Sequence, residues 1–234
     1  MLRTITVSAA AALVSTVAMA ADQLYYTPEP TPAPEAAYFY DWSGTHVGFH
    51  GGGAWGDGGS DFTIGGVGGS TSFDIDGGQV GVQAGHNWQH GNIVLGVGTD
   101  ISWFEVDGAG GAATGATHSL DTGLLVNLTG RAGVAFDHVQ PYLVGGLSVL
   151  DYDYSLSNLA GTATETHGDT DLGATLGGGL EVAVTNDVSL FGEYRHYWFE
   201  GEALAFAGPG GVAAQTVNPD LDIDTVTGGI NWRF

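Results

Sequence analysis

The 234-residue chain has no cysteine and no lysine. Without cysteine there is no disulfide framework and no thiolate metal site. Positive charge is confined to Arg3, Arg131, Arg195 and Arg233, against 26 aspartates and glutamates, for a formal net charge of −22. That balance argues against nucleic acid as a partner, because phosphate binding needs a basic footprint. Charged residues make up only 13% of the chain and hydrophobic residues 43%, which is not the composition of a disordered protein. No G-x-S-x-G elbow and no EF-hand loop occurs. The glycine run at 51–56 satisfies G-x-G-x-x-G, but no helix follows it, so a dinucleotide site is not indicated. What is abundant is glycine, 41 residues without the collagen period. With aromatics and short alternating runs it points to an all-β chain.

Residues 1–20 read as a secretory signal peptide: Arg3, an apolar stretch over 5–17, and Ala18-Met19-Ala20 as the cleavage site. Residues 21–39 carry Pro28, Pro30, Pro32 and Pro34 and read as an extended periplasmic linker. The barrel reading covers 40–234.

From Tyr40 onward a period of two sets in, the signature of strands with unlike faces. The runs are 42–55, 79–89, 93–106, 124–136, 141–154, 172–184, 188–199 and 225–234. In the last, Val226, Ile230, Trp232 and Phe234 share one face, and Thr225, Thr227, Asn231 and Arg233 share the other. In 172–184, Leu172, Leu176, Leu180, Val182 and Val184 oppose Thr175 and Glu181. For 141–154 the phase is ambiguous, and Leu143, Leu147 and Val149 are placed outward. Connections alternate in length. The stretches 89–92, 137–140 and 185–187 are tight, whereas 57–78, 107–121, 155–171 and 201–221 are long and rich in Gly, Ser, Thr, Ala and Asp. Eight antiparallel strands with short periplasmic turns and long extracellular loops describe a transmembrane β-barrel. A soluble eight-stranded barrel of the lipocalin type also alternates. Its outward polar face, however, would be dense in charge; here the polar face is mostly Gly, Thr, Asn and Gln.

Three stretches carry a more specific likeness. They are Asp41-Trp42-Ser43-Gly44 leading into Val47-Gly48-Phe49-His50-Gly51-Gly52, then Pro141-Tyr142-Leu143-Val144-Gly145-Gly146, and finally Gly228-Gly229-Ile230-Asn231-Trp232-Arg233-Phe234. Through them the chain resembles the opacity-type, or "porin family", small outer-membrane β-barrel proteins of alphaproteobacteria, over about 40–234. The resemblance implies a monomer exported to the Gram-negative outer membrane, held among lipid and lipopolysaccharide. It also implies that Phe234 is read by the barrel-assembly machinery. Some relatives bind haemin, act as surface antigens or are called porins.

Asp100, Arg131, Glu181, Glu193 and Arg195 fall on the lumen face and form a charged belt. It is expected to be a structural plug, with a narrow ion path as the alternative. Eight strands leave an interior that side chains can fill. Arg233 is expected at the periplasmic rim. His46 and His50 lie four residues apart, as do His86 and His90. On a strand that is about 13 Å, too far to share one metal ion. His118 and His167 are placed in long loops as exposed candidates for haemin or a metal. Paired acids such as Asp74 and Asp76, Asp151 and Asp153, and Asp222 and Asp224 suit solvation or divalent cations. No catalytic residue, metal site or cofactor is assigned. The expected function is non-enzymatic: envelope integrity and surface presentation. A narrow channel and loop-mediated binding of haemin are the alternatives.

Overall fold

The computed structural model describes residues 40–64, 66–111, 116–158, 160, 162–200, 203–208 and 214–234. The proposed signal peptide and linker lie outside the described residues.

The strands are β1 (Gly44–Ile64), β2 (Val67–His90), β3 (Ile93–Gly111), β4 (Ala116–Val134), β5 (Val139–Asn158), β6 (Thr164–Ala183), β7 (Val188–Glu200), β8 (Leu204–Phe206) and β9 (Gln215–Arg233). β1 to β7 pair antiparallel in chain order, β7 pairs with β9, and β9 returns to β1, closing an eight-stranded barrel. β8 is an accessory strand that pairs only with β9. The closing seam runs from His46 opposite Arg233 to Ile64 opposite Gln215. Beyond it, the Thr45 and Phe234 backbones exchange two hydrogen bonds, 3.2 and 2.9 Å long. Within the lipid-facing part, closure leaves no unpaired edge among the described residues, which lipid would penalise by several kcal/mol per bare backbone group.

One end of the barrel has tight turns. Gly91 takes φ 61° in the β2–β3 turn, and Asp137 takes φ 54° in the β4–β5 turn. Both are left-handed conformations, which Gly adopts freely and Asp tolerates. The opposite end differs from what residue composition suggests. Where they are described, the long connections are largely ribbons rather than irregular loops. The β1–β2 ladder runs on to Ile64 opposite Val67, and β5–β6 to Ser157 opposite Thr164. Antiparallel pairing uses only the backbone, so stretches rich in Gly, Ser, Thr and Asp extend it as long as each hairpin keeps its partner.

The outward face divides by level. Next to the tight turns, Val47, Phe49, Leu95, Val97, Leu128, Leu143, Leu147, Leu176, Leu190 and Val226 are all exposed. Trp88, Phe136, Trp232 and Phe234 border this belt below, and Trp55, Trp103 and Trp198 border it above; all seven are exposed. On β3 the belt runs from Ile93 to Trp103, ten steps of about 3.3 Å, which at the usual tilt spans about 25 Å of height. That matches the apolar band of a barrel in lipid. Above it the exposed face turns acidic, with Asp57, Asp76, Glu105, Asp151 and Asp222. This acidic upper part forms the crown of the barrel.

Candidate functional site

The lumen is where sequence and function meet, and it is filled in three layers. At the tight-turn end, the segment 40–42 folds under the barrel. Trp42 is fully buried. Its indole N–H donates to the Asp137 carbonyl at 2.9 Å, and its backbone N–H donates to Gln89 Oε1 at 2.6 Å. The Tyr40 hydroxyl donates to the Asn186 carbonyl at 2.7 Å and accepts from Arg233 Nη1 at 3.0 Å. The Arg233 guanidinium also lies 4.8 Å from the Trp42 ring centroid. The alternation that opens at Trp42 had suggested the start of a strand. The residue instead belongs to an aromatic cork, and β1 begins at Gly44.

The second layer is ionic. Arg131 Nη2 meets Glu181 Oε2 at 2.8 Å. The other Glu181 oxygen accepts from Ser189 Oγ at 2.5 Å and Asn231 Nδ2 at 3.1 Å, with Arg233 Nη2 3.5 Å away. A second knot joins Arg195 to Asp100 at 2.8 Å and to Glu193. Asp100 also accepts from Asn127 Nδ2 at 2.6 Å, and Asn127 Oδ1 in turn accepts from Ser148. Tyr142 links the knots: its ring lies 3.9 Å under the Arg131 guanidinium, and its hydroxyl donates to Glu193 at 2.8 Å. The five belt residues therefore come together as two neighbouring knots. Arg233 sits at the tight-turn mouth and joins the cork to the lower one. Glu181 is only 1% exposed. A charge so enclosed persists because it is paired and hydrogen-bonded, and removing a partner typically costs about 3–5 kcal/mol. Two cavities of about 40 and 10 Å³ are lined by these groups. At about 10–15 Å³ per water position, they hold a few waters at most.

The third layer is apolar and fills the crown. Ala54, Ile75, Phe104, Leu120, Leu125, Leu150, Tyr152, Tyr154, Leu156, Tyr197, Phe199, Leu204, Phe206, Val217, Leu221 and Ile223 form one buried cluster. The strands continue upward without a break, but their inward residues change from polar to apolar. In β4 the inward set also changes parity, from His118 and Leu120 to Leu125 and Asn127. The register slips between Thr122 and Leu125 account for this, because one extra residue flips every following side chain.

Two histidines need correcting. His118 is not the exposed loop ligand that the sequence suggests. It lies in β4, fully buried, 2.9 Å from the Tyr154 hydroxyl. The alternation His118, Leu120 continues into the crown core, so the side chain is turned inward. Burial lowers the His118 pKa below its ordinary 6.5. His167 likewise lies in β6 rather than in a free loop. It sits half-buried, 3.2 Å from Glu165, with its ring against Phe206 at 4.7 Å between centroids. Glu165 accepts the backbone N–H groups of Ala207 and Gly208 at 3.1 and 3.2 Å, fastening the segment after β8. Those bonds, the Ala207 one foremost and then that from His167, hold the Glu165 carboxyl below its usual range. His50 pairs with Ser102 Oγ at 2.8 Å inside the lumen, and His86 contacts Thr45 Oγ1 at 3.0 Å. Among the described residues, no group of three or more His, Asp or Glu is placed to hold a metal ion. Phe234 is outward and 76% exposed, at the lower border of the belt.

Comparison with known proteins agrees with this architecture. A family model described as the outer membrane protein beta-barrel domain matches residues 7–234. The chain is 30% identical over 247 residues to the 31 kDa outer-membrane immunogenic protein of Brucella melitensis, covering 100% of both. It is 30% identical over 231 residues to the 25 kDa outer-membrane immunogenic protein of Brucella abortus, covering 97% of this chain and 96% of that one. Among solved structures, the outer membrane protein OprG of Pseudomonas aeruginosa superimposes with a TM-score of 0.58 at 17% identity, over 82% of this chain and 96% of OprG.

Proposed function

The chain belongs to the outer membrane β-barrel family and resides in the outer membrane, and from that premise we propose a non-enzymatic role as an electrically closed structural barrel that presents its crown at the cell surface. The observation that carries this reading is the serial filling of the lumen. Any ion crossing it would have to pass the Trp42 cork, the two arginine knots and then the apolar crown core. An unpaired ion meets a steep penalty in such an apolar layer, so the fill acts as a seal as well as a scaffold.

In this role the belt of outward Leu, Val and aromatic residues anchors the barrel in lipid. Phe234, at the end of the closing strand, serves as the signal for the barrel-assembly machinery. The acidic crown faces outside, where divalent cations bridge its carboxylates to lipopolysaccharide phosphates. Two of the relatives are named immunogenic outer-membrane proteins, and a rigid protruding crown gives this chain the same capacity to act as a surface antigen.

Planar-bilayer conductance of the folded protein tests the closed-barrel reading, with heat-modifiable gel mobility as the folding control. The protein should be silent, and Arg131→Ala should lower stability without opening a conducting state. Reproducible single-channel steps that change in size or ion selectivity with Arg131→Ala would establish a channel instead.

A further inference from the structure

The wall of the barrel carries a crevice that none of these roles uses. It lies where β4 loses register with both neighbours. Trp103 pairs with Leu124, but the next pair upward is Asp107 with Asp121, so three residues of β3 face two of β4. On the other edge, Thr122 pairs with Tyr152 and Leu125 with Leu150, leaving two residues against one. Thr122 Oγ1 bridges the first gap by donating to the Phe104 carbonyl at 2.9 Å. The crevice beside this double slip has a volume of about 720 Å³. That falls within the roughly 300–1,000 Å³ typical of small-molecule sites.

Its lining is two-sided. Gly52, Gly77, Gly78 and Gly123 contribute backbone and no side chain, which leaves the space open. At Gly52 no other residue fits, because a Cβ would run into the Val226 carbonyl and the Thr227 backbone. Val80 and Trp103 supply an apolar wall, Trp103 being 74% exposed at the upper border of the lipid-facing belt. Asp76 and Glu105 supply the rim. Glu105 pairs with Gly78, two residues from Asp76, so the two carboxylates are diagonal neighbours about 7–8 Å apart at the backbone. Neither makes a hydrogen bond or ion pair among the described residues. Nor do the described arginines offer them a cation. Arg131, Arg195 and Arg233, the described arginines, all point into the lumen and are engaged there. Gln79, opposite the buried Phe104, belongs to the inward face behind this wall. It is nine-tenths buried, makes no side-chain hydrogen bond among the described residues, and lines both this crevice and the lumen cavity next to Arg195.

We propose that this crevice binds an amphiphile with an ammonium head group, taken up from the membrane. The aliphatic chain lies along Val80 and Trp103, continuous with the belt that already faces lipid. The ammonium sits between Asp76 and Glu105. Charge complementarity selects the head group: two carboxylates without an internal partner attract a cation and repel an anionic head. The apolar wall selects the tail, since a bare cation would leave Val80 and Trp103 unused. Hydrogen bonds between ionised partners at the edge of a low-dielectric layer are about twice as strong as neutral ones, which favours an ammonium over a neutral alcohol.

The test uses the folded protein in phosphatidylcholine nanodiscs, titrated calorimetrically with dodecylammonium. Saturable one-to-one binding is expected, weakened at least tenfold by Asp76→Asn with Glu105→Gln. Dodecyl sulfate should not compete. Nanodiscs of phosphatidylethanolamine, whose head group carries an ammonium, should lower the apparent affinity because the lipid already occupies the crevice. Both carboxylates are exposed, so the amide variants keep the fold, and heat-modifiable mobility verifies this. A second variant, Trp103→Phe, should remove the tryptophan emission shift that accompanies binding. Equal binding by wild type and the double amide variant would overturn the proposal by exposing non-specific partition into the bilayer. Competition by calcium or propylammonium as effective as that by dodecylammonium would overturn it in favour of a bare cation site. A phosphatidylethanolamine disc that leaves the affinity unchanged would overturn the membrane source of the ligand.

Discussion

The belt and the crown are built from the same strands, yet they are inside-out copies of each other. In the belt, Leu143 and Leu147 of β5 face outward while Tyr142 and Ser148 face in. A few residues further along the same strand, Asp151 and Asp153 face outward while Tyr152 and Tyr154 face in. The backbone geometry does not change between them; the solvent does. Lipid demands an apolar exterior and tolerates a polar, fully paired interior. Water demands the reverse and rewards an apolar core at about 25 cal/mol per Å² removed from it. The belt is therefore held by its surroundings and its ion pairs, and the crown by a hydrophobic core of the kind found in soluble barrels.

The largest test of this contrast is Glu181→Ala. It strands Arg131 and Arg233 in the enclosed lumen and should cost about 3–5 kcal/mol, read as a lowered urea midpoint for unfolding from lipid vesicles. Crown carboxylates such as Asp151 should show no comparable effect on truncation, because they are solvated. A similar loss at both sites would erase the distinction.

An intermediate effect should locate the boundary itself. Arginine at Leu147, in the middle of the lipid-facing belt, should destabilise by roughly 2–4 kcal/mol. Four residues along β5, Asp151→Arg should stay within about 0.5 kcal/mol, as surface changes usually do. If Asp151→Arg is as costly as Leu147→Arg, the belt extends higher than the tryptophan border indicates.

The smallest effect should come from acid acting on the crown. His118 has its pKa lowered by burial, so the unfolded crown binds the extra proton first. The stability it contributes is full above 6.5 and falls as pH drops below that value toward the folded pKa. Glu165 also has a lowered pKa. Its contribution is present above the ordinary carboxylate range and is lost as pH falls through its depressed value. Limited proteolysis across this range should show cleavage near Ala207 and Gly208 before any loss of the heat-modifiable barrel. His118→Gln should remove the higher-pH part of the response and Glu165→Gln the lower.

The belt was legible in the sequence because lipid imposes a strict rule. Every second residue from Ile93 to Trp103 must satisfy the bilayer, and the alternation is strong enough to give eight strands, the phase of all but 141–154, and the inward placement of the five charged residues. Over 57–78, 107–121 and 155–171 the crown reads as loop because its outward residues are Gly, Ser, Thr and Asp, the residues of turns. The inward series Tyr152, Tyr154, Leu156 did carry the signal, and so did His118 and Leu120, but the double slip near Thr122 shifts the parity and hides the continuity. The cork escaped for another reason. Trp42 precedes an alternating run and fits its pattern, and only the three-dimensional turn under the barrel separates the two. The crevice could not be anticipated, since nothing in a linear chain says that Asp76 and Glu105 share one opening.

The seam between β1 and β9 also sets a timetable. His46 finds its partner in Arg233, across nearly the whole described chain. Without β9, both β1 and β7 would keep a bare edge. Contacts so distant in sequence form late and slowly. The ring can shut only once β9 is present to meet β1.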